Sequence, residues 1–251
     1  MDIITGGTLD VTSYKVTEDK QLEQTYQAWG NDLGGSKVND TFAEFLQKWV
    51  GREVVEAFKE KRPSGWLQLM TTFDHKKKTT NADKITIEIP FSFHDVTLKE
   101  TTSSLIETVN NNGHKGVRCT NGGNLVIDAE VVREIFAPSV TAIVECIGQL
   151  MSSPEMTEVS QILMVGGYSE SVILQSAIKK AFGNRARVLI PSNASLCVLK
   201  GAVTFGHNPR LITSRVSRIT YIRGVTETYD PNKHGESRDR VKSFHEREGQ
   251  T

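Results

Sequence analysis

The stretch Thr5-Gly6-Gly7-Thr8-Leu9-Asp10 sets a glycine pair, a hydroxyl and a carboxylate side by side. Glycine lets the backbone take positive φ and lets a ligand come close. Successive N–H groups in such a turn form a concavity that suits phosphate. Thr8 can add a hydroxyl, and Asp10 can position water or a metal ion. The same residues also serve as a plain reversal between two strands. A second pair lies in Val165-Gly166-Gly167-Tyr168-Ser169-Glu170-Ser171. It follows an apolar strand and precedes a helix, where a sheet's carboxyl edge and a helix dipole together favour a nucleotide. Tight strand-to-helix packing would need the same glycines. Lys76-Lys77-Lys78 can be a solvated helix face, or one lysine stem can lie along a purine or ribose.

These residues need elements to position them. DIITGGTLDVTSYKV reads as two short strands joined at Gly6-Gly7, because Leu9 and Val11 alternate with Asp10 and Thr12. A third strand is predicted near Gln24–Trp29, before the glycine-rich loop GNDLGGSKVND. Phe42, Phe45, Leu46, Trp49 and Val50 then fall at helical spacing, with Asp40 or Ser36 as the cap. Gly51 interrupts, and Val54, Val55 and Phe58 continue a helical face up to Pro63. A helix from Ser64 carries Trp66, Leu69, Met70 and Phe73 and ends on the lysine run. Ile85, Ile87 and Ile89 mark a strand that stops at Pro90. The polar stretch 99–124 reads as a hairpin or long loop. Asp128 is expected to cap a helix with Val132, Phe136, Ile143 and Ile147 on one face, which Pro138 should kink or split near Ile135. Ile162–Val165 is a strand, a helix follows from near Ser171 to Gly183, and Arg187–Ile190 is another strand. Ser192 or Asn193 should cap a last helix running to Gly206. This order predicts an α/β fold with helices covering a sheet. Residues 230–251 are rich in charge and poor in aliphatic side chains, so a disordered tail is expected.

Composition narrows the function. The chain has 251 residues, 37% hydrophobic and 24% charged, which suits a soluble globular protein. Lys plus Arg and Asp plus Glu balance at 30 each, so no global charge draws it to nucleic acid or to an anionic membrane. Cys119, Cys146 and Cys197 are far apart and make no zinc pattern. No apolar run is long enough to span a membrane, and the start MDIITGG lacks a signal peptide's features. A cytoplasmic location is the expectation.

The order of these motifs resembles the second half of the nucleotide-binding domain of the 70-kDa heat-shock chaperones. It is most similar to the atypical heat shock 70 kDa protein 12 branch. RPSGWLQL, ITIEIPFSF, VGGYSESVILQSAIKKAFG and IPSNASLCVLKGAVTFGHNP carry the resemblance, which covers roughly residues 3–225. It implies a ribonuclease-H-like lobe of an actin-like ATPase, built from residues 1–30 and 128–215. A smaller α+β lobe of residues 31–127 would be inserted into it, leaving 216–251 as a tail. It further implies an ATP or ADP site with magnesium. Gly6, Gly7 and Thr8 would face the β- and γ-phosphates. Asp74, Lys77, Lys78 and Asn81 would approach adenine and ribose. Gly166, Gly167, Tyr168 and Glu170 would form the adenosine wall. Asp10 is the candidate catalytic and metal residue.

The chain departs from that pattern. The family's first phosphate loop and catalytic lysine belong to a preceding half that this chain does not contain. The phosphate turn usually reads D-x-G-G-G-T-x-D, whereas here Ile3 takes the acidic position and Thr5 the first glycine. Asp2 is one residue out of register and so belongs to the opposite strand face. The peptide-binding sandwich and lid of the chaperones have no room after Gly206-His207. Phosphoryl transfer relies on positioning and charge neutralisation, so little or no turnover is expected from this chain alone. A truncated gene model or a spliced fragment is the expectation that would account for the missing half. The alternative is a non-catalytic pseudo-ATPase scaffold with protein partners. A sugar or glycerol kinase of the same superfamily would need a pocket built largely from the missing half. Apolar surface left where two lobes meet should promote self-association.

Overall fold

Leu9, Val11 and Ser13 alternate with half-buried Asp10, Thr12 and Tyr14, so one face of their strand is closed against the core. The computed structural model describes residues 1–5, 7–81, 83–217, 219, 220, 222 and 223, without the side chains of residues 2, 4, 5, 27 and 28. Gly6 and the segment 230–251 therefore lie outside the described residues. Met1–Val216 is one compact unit and contains every element below; the residues from Ser217 form another.

The strands in chain order are β1 (Asp2–Thr5), β2 (Leu9–Val16), β3 (Leu22–Asn31), β4 (Ile85–Glu88), β5 (Val117–Cys119), β6 (Asn124–Ile127), β7 (Gln161–Val165), β8 (Arg187–Leu189) and β9 (Ile212–Ser214). Six of them form one sheet in the order β8-β7-β1-β2-β3-β9. β1 runs antiparallel to β2, with Ile3 opposite Val11, and parallel to β7, with Ile3 opposite Met164. Ile3, Leu9, Val11, Ile162 and Met164 are fully buried where these strands meet. A smaller antiparallel sheet has the order β4-β6-β5.

The helices are α1 (Ser36–Val50), α2 (Arg52–Lys61), α3 (Pro63–Thr79), α4 (Phe91–Thr101), α5 (Leu105–Asn111), α6 (Ala129–Met151), α7 (Val172–Phe182) and α8 (Ala194–His207). α1 and α3 meet through Phe42 and Phe73, whose rings stack with centroids 3.9 Å apart and planes 5° apart. Gly51 separates α1 from α2 at φ 102°, a conformation that favours glycine. The result is an α/β fold, as the order of strand and helix patterns predicts.

Several local expectations differ. Neither Asp40 nor Ser36 caps α1; the cap is Gly35, and Ser36 is already helical. Asp128 and Asn193 stand at the cap positions of α6 and α8, but their side chains make no capping bond. Gly183 ends α7 at φ −60°, not in the left-handed region. α6 runs unbroken through Pro138, so the helix is not split there. Proline removes the donor to residue 134, and Glu134 is exposed, so water can take its place. The stretch 99–124, expected to be a hairpin or long loop, contains the end of α4 and the whole of α5, and then β5, which pairs antiparallel with β6 as a hairpin.

Candidate functional site

The turn between β1 and β2 ends in a small polar arrangement. Thr8 Oγ1 donates to Asp10 Oδ2 at 2.8 Å. Asp10 pairs with Gly30 in β3, where an added Cβ would stand 2.5 Å from Asp10 Oδ1. Gly30 thus leaves the room that the carboxylate occupies. Gly7 is exposed, and a side chain there would meet nothing within 4 Å. Its carbonyl accepts a 2.8 Å hydrogen bond from Ser36 Oγ, which ties the turn to the first residue of α1.

The start of α1 is in turn tied to the end of α3. Lys77 sits in the last turn of α3 and is only 4% exposed. Its ammonium donates to Gly35 O at 2.9 Å and to Asn39 Oδ1 at 2.9 Å, and it pairs with Asp74 Oδ1 at 2.7 Å. Asn39 Nδ2 also donates to Asp74, at 3.4 Å. Burial lowers the Lys77 pKa against the opposing pull of Asp74. Lys78, 38% exposed, pairs with Asp74 Oδ2 at 3.2 Å. Burial works against the Asp74 carboxylate, but hydrogen bonds and attraction from Lys77 and Lys78 outweigh it and hold the group at about 2. Asn81 is exposed just beyond α3.

The second glycine pair closes the arrangement. β7 ends at Val165, Gly166 follows at φ 93°, and residues 167–170 make a 3₁₀ turn before α7. The buried Tyr168 ring lies 5.8 Å from Lys77 Nζ. It also packs against Gly35, where a Cβ would come within 3.0 Å of Tyr168 Cγ. Desolvation pushes the Tyr168 hydroxyl up to about 12. Ser139 of α6 shares its single proton between Tyr168 Oη at 3.3 Å and Gly34 O at 3.5 Å. Glu170 Oε1 accepts from Ser195 Oγ at 2.5 Å and Ser195 N at 3.1 Å. Those bonds, with help from Lys78, hold the Glu170 carboxyl below its ordinary value. Gly167 is open, with nothing within 4 Å of an added Cβ.

Three segments singled out in the sequence are therefore linked through the start of α1: Gly7–Asp10, Asp74–Lys78 and Gly166–Glu170. The surfaces they offer are the open Gly7 and Gly167, the Thr8–Asp10 pair and the Lys78 ammonium. Lys77 and Tyr168 are buried beneath them. Gly30, Gly35, Ser36, Asn39 and Ser139 also belong to this arrangement; the glycine-rich loop was the one signal pointing to any of them. Among the described residues two buried hydroxyls, Thr80 Oγ1 and Ser171 Oγ, have no hydrogen-bond partner, one beside each of the two later segments. Among the described residues no group of three or more His, Cys, Asp or Glu could hold a metal ion. A hollow of about 600 Å³ at the other end of α1 is lined by Lys48, Glu107, Asn112 and His114. Three of its polar side chains are already engaged: Asn112 with Trp49 O, His114 with Lys48 O, and Glu107 with Ser104. No helix among the described residues is long and apolar enough to cross a membrane.

No protein-family profile matches the chain. It is 34% identical to human Heat shock 70 kDa protein 12A over 233 residues, which is 91% of this chain and 34% of that protein. Human Heat shock 70 kDa protein 12B is 32% identical over 234 residues, with the same shares covered. The chain spans about a third of the length of the curated relatives it matches. Among solved structures, MreB 5 of Spiroplasma citri, bound to AMPPNP, aligns with a TM-score of 0.47 and 14% identity, over 83% of this chain and 53% of that one. Sequence shared along 91% of its length makes this chain a relative of the heat shock 70 kDa protein 12 branch of the 70-kDa heat-shock family.

Proposed function

We propose that this chain supplies one wall of an ATP or ADP site in a heat-shock-type ATPase and has little or no turnover by itself. The observation that carries the reading is the convergence of the Gly7–Asp10 turn, the α3 end and the Gly166–Glu170 turn through Ser36, Gly35 and Lys77. In this reading the backbone at Gly6, Gly7 and Thr8 receives phosphate. Lys78 and Asn81 approach the adenosine with Asp74 behind them, and Gly166 and Gly167 form the opposite wall. Magnesium often binds through one carboxylate together with phosphate oxygens. The Thr8–Asp10 pair on an exposed turn fits that need, with Asp10 as the protein's ligand. The bound ion would neutralise phosphate charge.

The division into a lobe of residues 1–30 and 128–215 and an inserted lobe of 31–127 belongs to the same proposal. So do a cytoplasmic setting and association through exposed apolar surface. Leu196, Val198, Leu199 and Val203 on α8 are all exposed, which supports the last point.

A second reading, the non-catalytic scaffold, is favoured by Ile3. It occupies the position that is acidic in the family's phosphate motif, and it is fully buried among Val11 and Met164. An acidic side chain there would be costly.

Binding of a fluorescent ATP analogue in the presence of magnesium tests the proposal. Gly167→Trp is the control, because an added Cβ at Gly167 meets nothing within 4 Å. Saturable binding that this substitution abolishes supports the nucleotide wall. A folded chain that binds no analogue leaves the scaffold reading in its place.

A further inference from the structure

We infer that Lys77 is a positioning residue, which fixes the phosphate turn through the start of α1, and that Lys78 is the lysine presented to ligand. The inference rests on the nucleotide reading above and changes the role of one residue within it.

An ammonium has three protons to donate. Lys77 has three acceptors already in place, Asp74 Oδ1 at 2.7 Å, Gly35 O at 2.9 Å and Asn39 Oδ1 at 2.9 Å. The Tyr168 ring covers a further side at 5.8 Å. With 4% exposure, Lys77 has neither a free proton nor an open path to a bound nucleotide. What it holds is more informative. Gly35 is the residue before Ser36, and Ser36 Oγ donates to Gly7 O at 2.8 Å. A fixed Gly35 therefore fixes Ser36, and Ser36 fixes the glycine turn. Gly35 is also closed where a side chain would stand, since an added Cβ would lie 3.0 Å from Tyr168 Cγ and 3.3 Å from Lys77 Nζ. Lys78 differs in each respect. Its side chain is 38% exposed, it has one partner at 3.2 Å, and it lies close enough to Glu170 to influence that carboxylate.

The test combines amide hydrogen exchange, side-chain ammonium NMR and analogue titration on the full chain. Without nucleotide, Lys77→Met should speed exchange in the first two turns of α1 by about tenfold, the effect of losing a hydrogen bond to a charged group. Analogue affinity should fall by about the same factor. Asn39→Ala removes a single acceptor and is the milder variant; it should speed the same amides to a smaller degree. Lys78→Met should weaken the analogue and leave that exchange unchanged. In the unmodified chain, the analogue should shift the Lys78 Nζ resonance and not that of Lys77. Unchanged α1 exchange in both Lys77→Met and Asn39→Ala would overturn the inference, as would a ligand-induced shift at Lys77 larger than at Lys78. If the unmodified chain binds no analogue, the nucleotide reading fails, while the exchange experiment still decides whether Lys77 holds α1.

Discussion

Asp74 lies one helical turn before both Lys77 and Lys78, and its two oxygens divide between them. Its pKa, held at about 2 against an ordinary 3.8, makes the pair sensitive to acid. The folded value is the lower one, so the contribution is complete above about pH 4 and is lost as the pH falls toward 2. Asp74 is 35% exposed, so screening by water reduces the effect to about 1 kcal/mol. Urea unfolding at pH 5 and pH 2.5 should show the native chain losing more stability than Asp74→Asn across the interval, by roughly two thirds of that amount. Equal losses in the two proteins would count against it. The sequence made the lysine run and its neighbouring aspartate visible, because both are local. It did not tell which lysine is buried. That depends on Gly35 and Asn39, about forty residues earlier in the chain.

At the scale of elements, strands and apolar helices were readable because their burial follows a simple period. Leu9 and Val11, or Phe42, Leu46 and Trp49, announce their faces. α4 and α5 were not, because α5 is only seven residues long and the buried face of α4 includes threonine. Thr97 is fully buried, and its hydroxyl donates to Phe93 O at 2.8 Å within its own helix, so a polar residue passes as core. The start of α5 did carry a readable signal. Ser104 and Glu107 form a capping box, with Ser104 Oγ accepting from Glu107 N at 3.2 Å and Glu107 Oε2 accepting from Ser104 N at 2.9 Å. Ser104→Ala should destabilise the chain by about 1 kcal/mol in thermal or urea unfolding. No change would mean that packing of Leu105 and Val109 alone holds the helix.

For the unit Met1–Val216 as a whole, the notable surface is α8. Its sequence has the apolar spacing of a packed helix, yet Val198, Leu199 and Val203 are 46%, 64% and 57% exposed. Sequence periodicity identifies the helix but not whether its face meets a partner, since both cases need the same residues. Sedimentation velocity should show association that rises with concentration, and Leu199→Lys with Val203→Lys should suppress it. A native chain that stays monomeric throughout the range would remove the argument.

The pairing of β1 with β7 has a kinetic consequence. β1 is a central strand of the larger sheet, yet it joins Asp2 to Leu163 and Ile3 to Met164. On the ribosome, β1, β2 and β3 can form a meander early, but the parallel edge of β1 must wait until β7 is made. Through that interval the nascent meander shows an unpaired edge and the apolar face of Ile3. Such long-range closure is slow, so refolding should be limited by the arrival of β7 rather than by the helices, and the waiting edge is the place where misfolding would begin.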